Sequence, residues 1–162
     1  MVQAMKPSVL VALLPLLLAS CTSVPTTDLN ADHPEARAQV QRRLNKILDA
    51  CEKKDFPRLD SYHFYGPKFT KFAEAPGRLD ADAARQGEHN GLVGLNGLGL
   101  RADELKIDVF GNAAIATFFL DATFKAGAET IEKKSRGTLV FVKDRSDWKI
   151  THEHFSPLKT IP

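Results

Sequence analysis

The feature that most constrains this chain is the stretch from Thr138 to Ser156, which reads as two strands folded back on each other. Thr138-Leu139-Val140-Phe141-Val142-Lys143 is β-branched and aromatic, and the polar run Asp144-Arg145-Ser146-Asp147 follows it. From Trp148 the apolar and polar residues alternate with period two, which predicts Trp148, Ile150, His152, His154 and Ser156 on one face. Lys149, Thr151 and Glu153 then fall on the other.

The registers of the preceding strands can be chained to this hairpin. Gly111-Asn112 is a two-residue turn signal that pairs Val109 with Ala114, Ile107 with Ala116 and Leu105 with Phe118. A turn over residues 126–129 pairs Ala116 with Leu139 and Phe118 with Gly137. The turn at Asp144 to Asp147 then pairs Phe141 with Ile150 and Leu139 with His152. Residues directly opposite share a face, so one face is continuously apolar and carries both histidines at its end. That face needs a cover. Val40, Leu44, Ile47, Leu48 and Cys51 recur at helical spacing and supply one, behind a start at Asp32-His33-Pro34-Glu35 with Asp32 as the expected cap. The expected fold class is α+β, a curved antiparallel sheet wrapped around amino-terminal helices as a cone-shaped barrel.

Between helix and sheet lie a short helix at Phe56 to Tyr62, an aromatic segment from Tyr62 to Phe72, and a third helix from Asp80. That helix runs into glycines at 91, 94, 97 and 99. No Gly-Lys-Ser/Thr follows them, so they are read as a packing or rim segment and not a phosphate loop.

The first twenty residues read as a signal peptide. Lys6 precedes the apolar run Val9 to Leu18, which is shorter than the roughly 20 residues a membrane span needs. Leu18-Ala19-Ser20-Cys21 resembles a bacterial lipobox, which makes Cys21 the lipidation site. Residues 21–31 become a tether, and 32–162 one domain. The localisation this implies is the cell envelope, lipid-anchored, on the periplasmic side of the outer membrane if the source is Gram-negative. With Cys21 consumed by lipid, Cys51 is left single, so no intrachain disulfide is expected. Lys+Arg of 22 against Asp+Glu of 20 gives no basic field, which argues against nucleic acid as a partner.

The pattern Phe141-x-Lys143, Trp148-Lys149-Ile150, His152-x-His154-x-Ser156 resembles the last hairpin of the nuclear transport factor 2-like superfamily. The SnoaL-like and ketosteroid-isomerase-like bacterial members are closest, and the association domain of calcium/calmodulin-dependent kinase ends on a similar Trp, His, His, Ser spacing. The resemblance implies a cone with a pocket between helices and sheet, no metal and no cofactor. Trp148, His152, His154, Phe118 and Tyr65 are the expected pocket residues. His152 and His154 are the candidates for acid–base chemistry, with hydrogen-bonded core histidines as the alternative. The isomerase's tyrosine and aspartate set is not matched. Asp121, its tempting carboxylate, pairs instead with Lys134 across the sheet, and Leu139 stands where the kinase domain carries a pocket arginine.

Two functional classes follow. One is a lipid-anchored module that binds a small apolar molecule or assembles. The other is an isomerase, cyclase or hydratase acting through pocket histidines. Phe110, Ile115, Phe119, Val140 and Val142 make the second sheet face apolar too, which predicts a homodimer through it.

Overall fold

The computed structural model describes residues 28–73 and 77–158. The expected signal peptide, Cys21 and the first part of the expected tether lie outside the described residues, as do the last four residues of the chain. Helix α1 runs from Pro34 to Lys53 and helix α2 from Phe56 to Ser61. Strand β1 is Thr70–Phe72, and helix α3 is Ala81–Val93. Four long strands follow, β2 Asn96–Phe110, β3 Ala113–Ala126, β4 Glu129–Asp144 and β5 Asp147–Pro157. They form one curved, unclosed sheet in the order β1-β5-β4-β3-β2, antiparallel except where β1 runs parallel to β5.

Helix α1 begins at Pro34, whose missing N–H costs nothing in the first turn. The expected Asp32 cap does not form. His33 holds the cap position without a side-chain bond, and Asp32 instead pairs with the Arg37 guanidinium. Lys54, in the left-handed region at φ 54°, closes the helix. The α1 stripe buries Val40, Leu44, Ile47, Ala50 and Cys51 against the sheet, as the spacing requires. Helices α2 and α3 are capped by Asp55 and Asp80, which accept from the amides of Arg58 and Ala83.

Of the four glycines, Gly91 lies in α3 and Gly94 caps it, while Gly97 and Gly99 belong to strand β2 and not to a rim. β2 starts at Asn96, about nine residues before the alternation becomes legible at Leu105. Gly99 is required there, because a Cβ would stand 2.8 Å from Thr123 Oγ1 on β3. A bulge between Asp103 and Lys106 places Glu104 at φ 49° and takes Leu105 out of simple opposition to Phe118. Val109↔Ala114, Ile107↔Ala116, Ala116↔Leu139, Phe118↔Gly137 and Phe141↔Ile150 pair as expected.

The next pair does not. Phe141 faces Ile150, but Val140 faces His152, so Thr151 is an extra residue in β5. Everything beyond it shifts by one, and a one-residue shift exchanges faces. Leu139 therefore faces Glu153, and Thr138 faces His154. The edge of β5 shows why the bulge is held. Phe64 donates to the Ile150 carbonyl at 2.7 Å and Ile150 to the Tyr62 carbonyl at 2.9 Å, on the near side of Thr151. On the far side Thr70, Lys71 and Phe72 pair with His152, Glu153 and His154. Two short segments thus pair with β5 on either side of the extra residue.

Candidate functional site

The bulge exchanges the residues that face the helices. Glu153 turns inward and is 2% exposed, while His152 and His154 turn away from the helices. His152 Nδ1 shares a hydrogen bond with the Thr70 hydroxyl at 2.8 Å. The exposed Phe72 ring lies edge-on to both imidazoles. The sequence-based placement of His152 and His154 in the pocket is therefore corrected. The residue opposite Gly137 is Phe155, and a Cβ there would stand 2.7 Å from Phe118 Cε2 and 3.1 Å from Phe155 Cε1.

A cavity of about 360 Å³ lies between α1, α3 and the sheet. Its walls are Leu44, Ile47 and Leu48 of α1, Leu92 of α3, and Leu100, Phe118, Leu120, Phe124, Leu139 and Phe155 of the strands. Of the five expected pocket residues, Phe118 lines it. Trp148 is buried outside the lining, where its indole N–H donates to Gln39 Oε1 at 3.1 Å. Tyr65 stacks on His63 with centroids 4.7 Å apart and stands behind the wall.

Three charged groups interrupt this apolar surface together, Lys71, Glu88 and Glu153. Lys71 Nζ lies 2.6 Å from Glu153 Oε2 and 3.7 Å from Glu88 Oε1. The first contact is an ion contact off the line of a good hydrogen bond, leaving Glu153 Oε2 without an aligned donor. His63, 4% exposed, completes the group from behind. Its Nε2 is 2.9 Å from Glu153 Oε1 and 3.9 Å from Glu88 Oε2. Its Nδ1 is 2.9 Å from the Leu59 carbonyl. The Tyr65 hydroxyl donates to Glu88 Oε2 at 3.3 Å.

These contacts define the protonation pattern. A carbonyl only accepts, so His63 Nδ1 carries a hydrogen. The other nitrogen faces a carboxylate that Lys71 also holds, so it too donates and the ring is an imidazolium. Burial would raise the Glu153 carboxyl, but Lys71 and His63 outweigh it and hold it down to about 2. Burial opposes the charge on His63, yet the hydrogen bond and charge of Glu153 raise it. Lys71 is likewise raised, with Glu153 and Glu88 overcoming its desolvation. Glu88 moves upward because burial, and then the Glu153 charge, outweigh the pull of Lys71 and His63. Burial and the Glu88 charge push the Tyr65 phenol up, so it remains a donor. Burial also raises the Cys51 thiol in the cavity wall, which makes it unreactive.

His63, Glu88 and Glu153 offer ligand atoms within 4.8 Å of one another, a spacing that could hold a metal. The Lys71 ammonium already stands against both carboxylates, and a divalent ion would have to displace it and strip the proton from His63 Nε2. The arrangement suits an internal salt-bridge network better than an ion. Asp121, as read from sequence, pairs with Lys134 at 3.2 Å, with Arg101 joining at 2.6 Å.

Helices packed against a curved, unclosed sheet with a cavity between them are the architecture of nuclear transport factor 2-like proteins. The chain belongs to the SnoaL-like domain family, which it matches over residues 40–160. No curated protein sequence matches it. Among solved structures it is similar to a protein of the NTF2-like family from Streptomyces avermitilis, provisionally named a dehydratase. The TM-score is 0.71 at 17% identity, over 78% of this chain and 98% of that one. An NTF2-like superfamily protein from Salmonella enterica serovar Typhimurium gives 0.68 at 22% identity, over 78% and 94%. The CaMKII hub of S. rosetta gives 0.66 at 21%, over 79% and 99%. At these identities the likeness concerns the fold.

The polar cluster could not be assembled from sequence spacing alone. The available hint was Lys71 sharing the parity of the buried Phe69 in an otherwise aromatic segment. Glu153 was visible but assigned to the wrong face by the unseen bulge.

Proposed function

We propose that this protein is an exported, lipid-anchored module that binds a small, mostly apolar molecule in the cavity between α1, α3 and the sheet. The observation that carries the reading is the cavity itself, about 360 Å³ of leucine and phenylalanine wall broken by one polar cluster, the composition of a small-molecule site. The anchor rests on the Ala19-Ser20-Cys21 sequence after its apolar run. A homodimer through the outer sheet face is part of the same reading. Phe110 and Ile115 are exposed there, and Phe72 adds to them beside His152 and His154. The hub domains among the similar structures share this fold, which is compatible with assembly.

An enzyme of the hydratase or isomerase kind is the second reading. The dehydratase name carried by the Streptomyces protein favours it, and in this chain it would fall to Lys71 and Glu88, since His152 and His154 face the other way. Lys71 and Glu88 are held in one ion network with Glu153 and His63, which favours binding over turnover.

The test is a titration with the neutral dye N-phenyl-1-naphthylamine. Its fluorescence should rise saturably with the wild-type protein and be lost in Leu48→Trp, which fills the cavity from α1. Equal dye binding by both proteins would place the site elsewhere.

A further inference from the structure

The polar cluster is charge-balanced, and that balance has a consequence for the ligand. Its contacts define two cations, Lys71 and His63, and two carboxylates, Glu88 and Glu153. Glu88 accepts from Tyr65 Oη at 3.3 Å, and the cations Lys71 Nζ and His63 Nε2 stand 3.7 and 3.9 Å from its oxygens, all of which favour its charged form. Of the four, His63 is out of reach of a ligand, with its side chain fully buried, and Glu153 is nearly so at 3% side-chain exposure. Glu88 and Lys71, at 15% and 11%, are the groups a ligand in the cavity can touch. Lys133 is the other charged group in the lining, and it is exposed.

Resting on the binding-pocket reading above, we propose that the cavity selects a neutral polar head, an alcohol or carbonyl, on an apolar body, and rejects fatty carboxylates and amines. A carboxylate entering beside Lys71 meets Glu88 and Glu153 within the same few ångströms. An amine entering beside Glu88 meets Lys71 and His63. Either ion gives up its water for a site that offers no net compensation, the costly case for a buried charge. A hydroxyl can instead accept from Lys71 and donate to Glu88 at once, and leaves the balance undisturbed. The same logic predicts what breaks the selection. Lys71→Met leaves the site net negative and should admit an amine, whereas Glu88→Gln leaves it net positive and should admit a carboxylate.

The experiment is displacement of N-phenyl-1-naphthylamine from the full chain by 1-octanol, octanoate and octylamine at pH 7.5. Octanol should compete at least about tenfold better than either ion. Glu88→Gln, a near-isosteric change, should improve octanoate relative to octanol, and Lys71→Met should improve octylamine. Circular dichroism and the dye affinity itself report whether each variant is folded. If the dye binds but octanoate or octylamine competes as well as octanol, the head-group selection is wrong and the pocket reading stands. If neither the dye nor any of the three binds the wild type, both fail together. Improved binding of both ions by both variants would mean a merely loosened site and would also overturn the proposal.

Discussion

Replacing Glu153 by alanine should be among the most damaging single changes available in β5, although the chemistry of the sequence makes His152 and His154 look more important. Glu153 is 2% exposed and holds Lys71 at 2.6 Å and His63 at 2.9 Å. Its removal leaves two buried cations facing each other with only Glu88 between them. Breaking a buried pair from one side costs about 3–5 kcal/mol. At about 3–5 °C per kcal/mol for a domain of this size, the melting temperature should fall by roughly 10–25 °C. His154→Ala removes an exposed ring that packs edge-on against Phe72, and should leave the melting temperature within about 2 °C of wild type. The pH dependence carries a second signature. The Glu153 pKa is depressed on folding, so its stabilisation is present above its ordinary value of 4.5 and is lost as pH falls towards about 2. His63 is raised on folding, so its contribution is present below 6.5 and is lost as pH climbs through its folded value. Glu88 is raised too, and for a carboxyl that means a penalty that grows as pH rises above 4.5. Wild-type stability should therefore fall on both the acid and the alkaline side, and Glu153→Ala should lose the acid limb that Glu153 supplies. Differential scanning calorimetry from pH 3 to 9 reads both effects. A Glu153→Ala protein that melts with the wild type at pH 7, or a His154→Ala protein that melts far below it, would refute the register and the cluster with it.

Three further outcomes are expected. Gly137→Ala should destabilise by about 1–3 kcal/mol through overpacking and weaken dye binding, because its methyl would push the Phe118 and Phe155 rings into the cavity; a urea melt and the titration measure the two together. Phe119→Asp, on the outer sheet face, should shift a homodimer to monomer with dye affinity retained, and light scattering of a wild-type monomer at micromolar concentration would remove the dimer. Cys21→Ser should abolish an acylated amino terminus detectable by mass spectrometry of the membrane fraction, and wild-type protein without that acylation would end the anchor reading.

How much of this was readable in the chain depends on whether a signal is local. The α1 stripe, the Gly111-Asn112 turn with Gly111 at φ 63°, and the Val109–Ala114 and Phe118–Gly137 pairings follow from periods and turn chemistry that a short window contains. Strand β2 was half hidden, because glycine and leucine alternation at residues 97–100 lacks the β-branched residues that mark a strand. The site failed on one residue. Nothing in Lys149-Ile150-Thr151-His152 announces that Thr151 is extra, since the bulge is held by Tyr62, Phe64 and Thr70 to Phe72, distant in sequence and joined only at the β5 edge. A period-two argument carried past a bulge inverts every later residue, and here it exchanged Glu153 for two histidines. His63 and Lys71 had no such pattern to join, because irregular segments bring them to the cluster.

The measurement that bears most directly on the binding account is a crystal structure of the protein grown with 1-octanol or with a ligand retained through purification. The account predicts density between α1 and the sheet, packed on Leu44, Leu48, Phe118 and Phe155, with a polar atom within hydrogen-bond distance of Lys71 Nζ or a Glu88 oxygen. Density seated on the outer face at His152 and His154, with the interior cavity closed by its own side chains, would contradict it.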